Sequence, residues 1–180
     1  MIDGLIYTED FISAQDQDSL IKEIDSRTWE TSLKRRVQQY GYRYDYTKKS
    51  IDKSLYLGDL PDFLDVYVQK LTEYFKTKPD QVIINEYVPG QGISRHVDCV
   101  PCFGDTIISL SLVSPCVMEF ETWKGDKASL LLSPRSCLIL QREARYKWMH
   151  SIPARLEDKW KDSVVSRGRR VSLTFRKVLI

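Results

Sequence analysis

The chain has only two histidines among its 180 residues. It also lacks any apolar run of membrane-spanning length, since Leu130-Leu131-Leu132 is soon interrupted by Pro134 and Arg135. Its first residues have neither the basic nor the apolar region of a secretory signal peptide. We therefore expect a soluble cytoplasmic protein, also nuclear if the organism is eukaryotic, with no membrane partner.

The net charge of the chain is too small to require a nucleic-acid partner. There are 27 lysines and arginines against 25 acidic residues, which gives a net charge of +2. The local clusters Lys34-Arg35-Arg36 and Arg167-Gly168-Arg169-Arg170 can nevertheless steer anionic ligands. The length predicts one domain with a buried core, and we expect a monomer.

Four cysteines without an export signal are expected to be reduced thiols. Cys99-Val100-Pro101-Cys102 is a Cys-x-x-Cys motif, so zinc binding and redox chemistry are alternatives. A structural zinc site needs a second close pair of ligands, and Cys116 and Cys137 are not so spaced. A thioredoxin-like motif would open a helix in a βαβ unit, which this pattern does not indicate. Buried reduced thiols are the favoured interpretation.

Two helices are predicted in the first 80 residues. Ser13 and Asp16 form a capping-box pattern that starts a helix over residues 14–26. A second helix follows Asp59, with Pro61 in its first turn. The predicted apolar stripes are Leu20, Ile21 and Ile24 in the first helix, and Leu64, Tyr67, Val68, Leu71 and Phe75 in the second.

The remaining pattern is rich in β-strands. A short strand is predicted within residues 1–12, and an alternating tyrosine-rich strand from Val37 to Tyr46. Eight further short runs are predicted at residues 81–87, 94–98, 106–113, 117–121, 128–132, 136–141, 147–152 and 170–178. This spacing favours a mainly β fold of the α+β type, a sandwich or jelly roll that the N-terminal helices buttress.

The triplet His96-Val97-Asp98 predicts a metal site. Residues i and i+2 of a strand point to the same face, so an imidazole and a carboxylate would lie side by side. His150, at the end of another predicted strand, would complete a two-histidine, one-carboxylate triad suited to iron(II). The alternative is that His96 and Asp98 form a surface pair and that His150 is a hydrogen-bonded core residue.

The segment from Arg170 to Arg176 carries two arginines on one face of a predicted strand. Ser172 and Thr174 share that face, whereas the apolar residues between them point the other way. Two guanidinium groups so spaced can hold a dicarboxylate at both ends. The alternative is a solvent-facing terminal strand with scattered charges.

Residues 81–178 resemble the AlkB-like family of iron(II)- and 2-oxoglutarate-dependent dioxygenases. The segments that carry the resemblance are Asn85-Glu86-Tyr87, Pro89-Gly90-Gln91-Gly92-Ile93, His96-Val97-Asp98, Ile107-Ile108-Ser109-Leu110-Ser111-Leu112, Arg145-Tyr146-Lys147-Trp148-Met149-His150 and the strand from Arg170 to Arg176. Together and in this order, these segments are highly specific for the family, although each segment alone is weak evidence.

The resemblance implies a double-stranded β-helix with iron(II) bound by His96, Asp98 and His150, and with O2 and 2-oxoglutarate as co-substrates. It further implies that Arg170, helped by Tyr87, pairs with the distal carboxylate of 2-oxoglutarate. Arg176 would lie near the carboxylate beside the keto group, and Asn85 would line the same pocket. Ser172 stands where many relatives have asparagine, and Arg142 replaces a common glycine.

Residues 81–180 would then form the catalytic core, and residues 1–80 an extension with a substrate-recognition lid. The segment from Lys34 to Tyr42 resembles the nucleotide-recognition lid of AlkB-type demethylases. The expected substrate contacts are Arg35, Arg36, Tyr40 and Tyr42. Tyr44 and Tyr46 are instead assigned to core and strand packing.

The resemblance implies oxidative demethylation of N-alkylated bases, such as N1-methyladenine and N3-methylcytosine, in DNA or RNA. Formaldehyde, succinate and CO2 would be released, and the base would be single-stranded or flipped out of a duplex. The alternatives are a tRNA or protein hydroxylase with the same metal core, and a catalytically idle nucleic-acid-binding module.

Overall fold

The computed structural model describes residues 2–180, which form mainly antiparallel β-strands with three α-helices. The strands are β1 (Leu5–Thr8), β2 (Arg36–Tyr40), β3 (Gln81–Tyr87), β4 (Ile93–His96), β5 (Phe103–Leu112), β6 (Cys116–Thr122), β7 (Lys127–Leu132), β8 (Ser136–Leu140), β9 (Trp148–Ile152), β10 (Glu157–Trp160), β11 (Ser163–Ser166) and β12 (Arg170–Val178). The helices are α1 (Ala14–Asp25), α2 (Asp65–Leu71) and α3 (Arg142–Tyr146), and 3-10 turns cover Lys53–Leu55, Asp62–Leu64 and Thr72–Tyr74. None of the helices in residues 2–180 is long and apolar enough to cross a membrane.

The strands form two facing sheets and one separate hairpin. The major sheet has the order β1-β8-β5-β12-β3-β2, and the minor sheet has the order β4-β9-β6-β7. Strands β10 and β11 pair only with each other. This antiparallel arrangement is the predicted jelly roll, and the cavity described below lies between its two sheets.

Side-chain alternation in the major sheet separates an apolar face from the cavity face. In β12, Val171, Leu173 and Phe175 pack with α1 and α2 in one hydrophobic cluster. The intervening Arg170 and Arg176 point to the opposite face and line the cavity. A second cluster joins the two sheets and contains Phe103, Ile107, Met118, Phe120, Leu132, Leu138, Leu140 and Ile152.

The N-terminal helices cover the outer face of the major sheet. The predicted capping box is present, because the Ser13 hydroxyl accepts from the Asp16 amide at 3.0 Å and the Asp16 carboxylate accepts from the Ser13 amide at 3.2 Å. The second predicted helix is divided into a 3-10 turn, α2 and another 3-10 turn. Its predicted apolar stripe is nevertheless buried against the sheet.

Several predicted boundaries are wrong. The tyrosine-rich strand ends at Tyr40, because Gly41 has a φ of +78° and a Cβ there would lie 1.8 Å from the Asp80 carbonyl oxygen. The short strand predicted within residues 1–12 is confirmed as β1, which has four residues. The hairpin of β10 and β11 was not predicted; it is held to the minor sheet by the buried Asp158 carboxylate, which accepts from the Val117 amide.

The prediction of four reduced thiols is wrong for two of the cysteines. Cys99 and Cys102 form a disulfide with a Cα–Cα distance of 5.2 Å. A turn makes this possible, since the Cys102 amide donates to the Cys99 carbonyl and brings the side chains within bonding reach. Cys116 and Cys137 are free and buried, as predicted.

Candidate metal and co-substrate site

A cavity of about 640 Å³ lies between the two sheets. This volume is in the range of small-molecule binding sites. Side chains from β3, β4, β9 and β12 form its polar lining, and apolar residues of the second hydrophobic cluster close its floor. The three predicted metal ligands and the two predicted co-substrate arginines all line this cavity.

His96, Asp98 and His150 converge in the cavity. His96 ends β4 and pairs in register with His150 of β9, so that their ring centroids are 4.4 Å apart. Asp98 follows two residues after His96, beyond the end of the strand. One potential ligand atom from each residue lies within 4.8 Å of the others. A single ion can therefore contact all three side chains.

Hydrogen bonds orient two of these side chains for metal binding. His96 Nδ1 lies 2.7 Å from the Ser94 carbonyl oxygen, so it carries the proton and leaves the Nε2 lone pair free. Asp98 Oδ1 accepts from Nε and Nη2 of Arg176 at 2.9 and 2.7 Å. The other carboxylate oxygen, Oδ2, lies 3.6 Å from His150 Nε2 and remains available to a cation.

The charge states of the buried ligands suit metal binding. Burial by itself raises the pKa of Asp98, but Arg176 and the two imidazoles outweigh it and hold that pKa below its usual value. Burial lowers the pKa of His150 to about 4, and the neighbouring His96 adds to this effect. The carboxylate is therefore ionised and the His150 imidazole neutral at pH 7, the forms that bind metals.

Arg145 holds the segment that carries Asp98. Its guanidinium is buried and donates hydrogen bonds to the carbonyl oxygens of Asp98, Cys99, Phe103 and Gly104. Four backbone acceptors on one side chain keep residues 98–104 in place next to the cavity. In the sequence, Arg145 is only part of a family motif, and no role was predicted for it.

Arg170 has the properties of an anion-binding group. It is 4% exposed, donates from Nη2 to the Ser111 hydroxyl at 2.8 Å and lies 5.6 Å from the centre of the Tyr87 ring. Its Nε is buried without a hydrogen-bond partner, and it has no carboxylate partner in residues 2–180. A buried guanidinium in this state is a site for an incoming carboxylate.

Asn85 and Ser172 also line the cavity, on neighbouring strands in direct register. Asn85 Oδ1 accepts from Arg35 Nε at 2.8 Å, which brings one residue of the predicted lid into the site. The Arg35 guanidinium lies 5.8 Å from the Tyr46 ring and 5.9 Å from the Tyr87 ring. Arg35 is therefore an integral part of the cavity wall.

The other predicted substrate contacts lie outside the cavity lining. Arg36, the first residue of β2, forms an ion pair with Glu86 at 2.6 Å, whereas the preceding Arg35 donates to Asn85. Tyr40 packs edge-on against Phe63 in the cluster beneath the helices. Tyr42 packs against Tyr56, with ring centroids 5.0 Å apart.

Tyr44 and Tyr46 line the cavity, and they also pack as expected, since their ring centroids are 5.1 Å apart and Tyr44 contacts the second hydrophobic cluster. They belong to the turn of residues 44–50, here called the tyrosine loop, which a backbone pair between Asp45 and Ser50 closes. Lys49 of this loop lines the cavity as well. The turn at Gly41 redirects the chain, so that Tyr44 and Tyr46 reach the cavity and Tyr40 and Tyr42 do not. The only feature of the sequence that pointed to Tyr44 and Tyr46 was the run of aromatic residues.

Residues 4–176 match the 2OG-Fe(II) oxygenase superfamily. The chain is also 40% identical to the alkylated DNA repair protein ALKBH8 homolog of Arabidopsis thaliana, over 98% of this chain and 59% of that protein. The chain is an AlkB-like 2OG-Fe(II) oxygenase. It uses iron(II), 2-oxoglutarate and O2, which suit the His-Asp-His cluster and the buried arginine.

The chain is also similar to a second curated protein and to a solved structure. It is 38% identical to the tRNA (carboxymethyluridine(34)-5-O)-methyltransferase ALKBH8 of Macaca fascicularis, over 97% of this chain and 30% of that protein. The chain thus spans about 60% and 30% of the lengths of these two curated relatives. The solved structure of OsALKBH1 superposes with a TM-score of 0.71 at 16% identity, covering 97% of this chain and 96% of that one, which supports the fold.

The residues present fit the cofactor and the co-substrate. His96, Asp98 and His150 would hold iron(II), and Arg170, with its unpartnered Nε, would hold a carboxylate of 2-oxoglutarate. When bound together, these groups and O2 supply the oxidising power to insert oxygen into a C–H bond. The chain itself orients the carboxylate ligand through Arg176 and excludes water with the apolar floor.

Proposed function

We propose that the oxygenase oxidises a base of RNA at a neutral or anionic substituent, as a tRNA-modifying activity. The observation that carries this proposal is the charge of the cavity. Its lining contains five cationic side chains, those of Lys34, Arg35, Lys49, Arg170 and Arg176. Of the residues described, Asp98 supplies the only carboxylate in that lining; Arg176 pairs with it, and it would also bind the metal.

The bound cofactors do not neutralise this charge completely. The two carboxylates of 2-oxoglutarate would be held by Arg170 and the metal centre, which leaves Lys34, Arg35 and Lys49 in the lining. None of these three forms an ion pair with a carboxylate in residues 2–180. The cavity therefore favours a ligand that carries phosphates and a neutral or negatively charged base.

A cationic base meets repulsion at the same place. Adenine methylated at N1 and cytosine methylated at N3 both carry a positive charge. At an effective dielectric constant of about 20, two like charges roughly 6 Å apart repel by about 3 kcal/mol. Uridine is neutral, and a carboxymethyl substituent of the kind named for the Macaca relative is anionic, so either suits the cationic lining.

Tyr44 and Tyr46 provide rings against which a base can stack once it has left a duplex or loop. Stacking is tolerant of base identity, and it is compatible with demethylation of N-alkylated DNA or RNA. The name of the Arabidopsis relative points the same way. Demethylation is therefore the second candidate function, and an idle binding module is disfavoured because the ligand set for iron and co-substrate is present.

The test is a substrate panel read by mass spectrometry. Iron-loaded protein, 2-oxoglutarate and O2 are incubated with tRNA that contains modified wobble uridines, and with DNA and RNA oligonucleotides that contain N1-methyladenine or N3-methylcytosine. A gain of one oxygen on the uridine supports the proposal. Loss of the methyl group only from the cationic bases would replace it with the second candidate. Asp98→Ala, which lacks a metal ligand, is the control for background oxidation.

Arg35 and Arg36 provide a matched pair of variants for the same assay. Arg35→Met removes a cavity cation, so we expect KM for the RNA substrate to rise about tenfold, since a charge-assisted contact contributes about 1.5 kcal/mol. Arg36→Met removes a cation of equal charge that lies outside the cavity lining, and it is expected to leave KM within about twofold. Equal effects of the two variants would show that only overall charge matters.

A further inference from the structure

We propose that Cys99 and Cys102 are a reversible redox modification site whose state controls how firmly the tyrosine loop is held at the cavity. The loop would be held more firmly when the cysteines are dithiols, which can donate to it, than when they form the disulfide seen in the structure. Hydroperoxides are the oxidant class and dithiol reductants the opposing class. The consequence for substrate binding rests on the proposed function, but the tether itself does not.

The two sulfur atoms lie between the metal site and the tyrosine loop. Cys99 follows the ligand Asp98, is partly exposed and lines the cavity, whereas Cys102 is 5% exposed. The Lys49 carbonyl oxygen lies 3.5 Å from Cys99 Sγ and 3.7 Å from Cys102 Sγ. The cysteine pair therefore contacts the tyrosine loop at Lys49, near the opposite end of the loop from Tyr44.

The chemical state of the sulfurs decides what this contact is. A thiol carries a hydrogen and can donate it weakly to a carbonyl oxygen, but a disulfide sulfur has no hydrogen to donate. The Lys49 carbonyl accepts no other hydrogen bond within residues 2–180. Reduction therefore gives that carbonyl a donor, and oxidation removes it.

The rest of the loop is held independently of the sulfurs. The Tyr44 amide donates to Gln39 Oε1 at 2.8 Å, and the Tyr44 ring lies 5.9 Å from that of Phe103. These contacts fix the start of the loop in either redox state. The change is thus confined to the end that contains Lys49, a cavity-lining cation.

The oxidation balances without any group from the active site. The Cys99 thiolate attacks the O–O bond of a hydroperoxide, which breaks to give a sulfenic acid and an alcohol or water. The Cys102 thiol then attacks the sulfenic sulfur, so that the S–S bond forms and water leaves. A dithiol reductant reverses the step by exchange and is itself oxidised to a disulfide.

The other two cysteines do not compete for the oxidant. Both are buried, and burial raises the pKa of the Cys137 thiol to about 12 and also raises that of Cys116. Neither presents an exposed thiolate. Alkylation of the unfolded protein should therefore count four thiols after reduction and two after mild oxidation.

Hydrogen exchange measured by mass spectrometry tests the tether without substrate or turnover. We expect the amides of residues 48–50 to exchange about threefold faster in the oxidised protein than in the reduced protein, as befits loss of one weak hydrogen bond, whereas the Tyr44 amide, which donates to Gln39, should not change. Residues 14–25 of α1 serve as the internal reference. Equal exchange of the loop in the two forms, or four thiols after peroxide treatment, would overturn the proposal.

Two double variants separate hydrogen bonding from disulfide formation. Cys99→Ser with Cys102→Ser keeps two donors and cannot be oxidised, so its loop should exchange as slowly as that of the reduced protein, with or without peroxide. Cys99→Ala with Cys102→Ala has no donor and should match the oxidised protein. Identical exchange in both double variants would refute the tether. If the exchange results hold and no substrate is found, only the proposed function fails.

Discussion

Arg170→Lys is expected to weaken binding of 2-oxoglutarate and leave the fold intact. Arg170 is 4% exposed, and its Nε has no partner although Nη2 is bonded to Ser111. A guanidinium can therefore offer a carboxylate two parallel donors, whereas an ammonium offers one point contact. Loss of one charge-assisted hydrogen bond costs about 2 kcal/mol, which corresponds to about a 30-fold rise in KM.

The assay measures succinate formation against 2-oxoglutarate concentration, together with calorimetric binding of 2-oxoglutarate to iron-loaded protein without O2. Ser172→Ala, on the same face of β12, is the matched control and should raise KM about fivefold, the effect of one neutral hydrogen bond. Thermal unfolding of both variants checks that they remain folded. A folded Arg170→Lys protein with KM within twofold of the original would refute the assignment of Arg170.

Three other outcomes follow from buried groups. Arg145→Lys cannot reach all four carbonyl acceptors, so the free energy of unfolding should fall by about 2–4 kcal/mol in urea titrations; no change would contradict its anchoring role. In metal-free protein, burial lowers the pKa of His150 to about 4, so between about pH 6.5 and pH 4 the unfolded chain binds more protons. Stability should therefore fall by about 3 kcal/mol as the pH falls through that window. His150→Asn should flatten this dependence, and parallel curves would contradict it.

Local sequence patterns predicted the part of the cavity wall that β12 contributes. Because side chains alternate along a strand, the run from Arg170 to Arg176 had to place its arginines and hydroxyls on one face and its apolar residues on the other. The structure shows this division, with the apolar face against the helices. The capping box at Ser13 is local in the same way, and it was predicted for the same reason.

The metal ligands were predicted both from the small number of histidines and from the His-x-Asp pattern. With only two histidines in the chain, His96 and His150 were the only imidazoles available to accompany Asp98. Their meeting still required β4 and β9 to pair in the register that sets His96 opposite His150. The sequence identified the three ligand residues, and the pairing of β4 with β9 sets the distance between the two histidines.

The tyrosines that line the cavity were not predicted from the sequence, because their position depends on one turn. Gly41 adopts a positive φ against the Asp80 backbone, so the chain leaves the sheet and carries Tyr44 and Tyr46 to the cavity. No periodic pattern encodes that change of direction. The expected monomeric state, cytoplasmic location and division at residue 80 remain predictions.

The sequence alone therefore determined the fold class, the types of the metal-ligand residues and which residues share each face of β12, since these follow from composition and from a two-residue period. Only the tertiary structure decided that Arg35 enters the cavity while Arg36 pairs with Glu86, and that Arg145 anchors the segment after Asp98. It also decided that Cys99 and Cys102 meet each other and Lys49. Apart from the disulfide, which a local turn makes possible, these contacts join residues distant in the chain, and only assembly of the sheets brings those residues together.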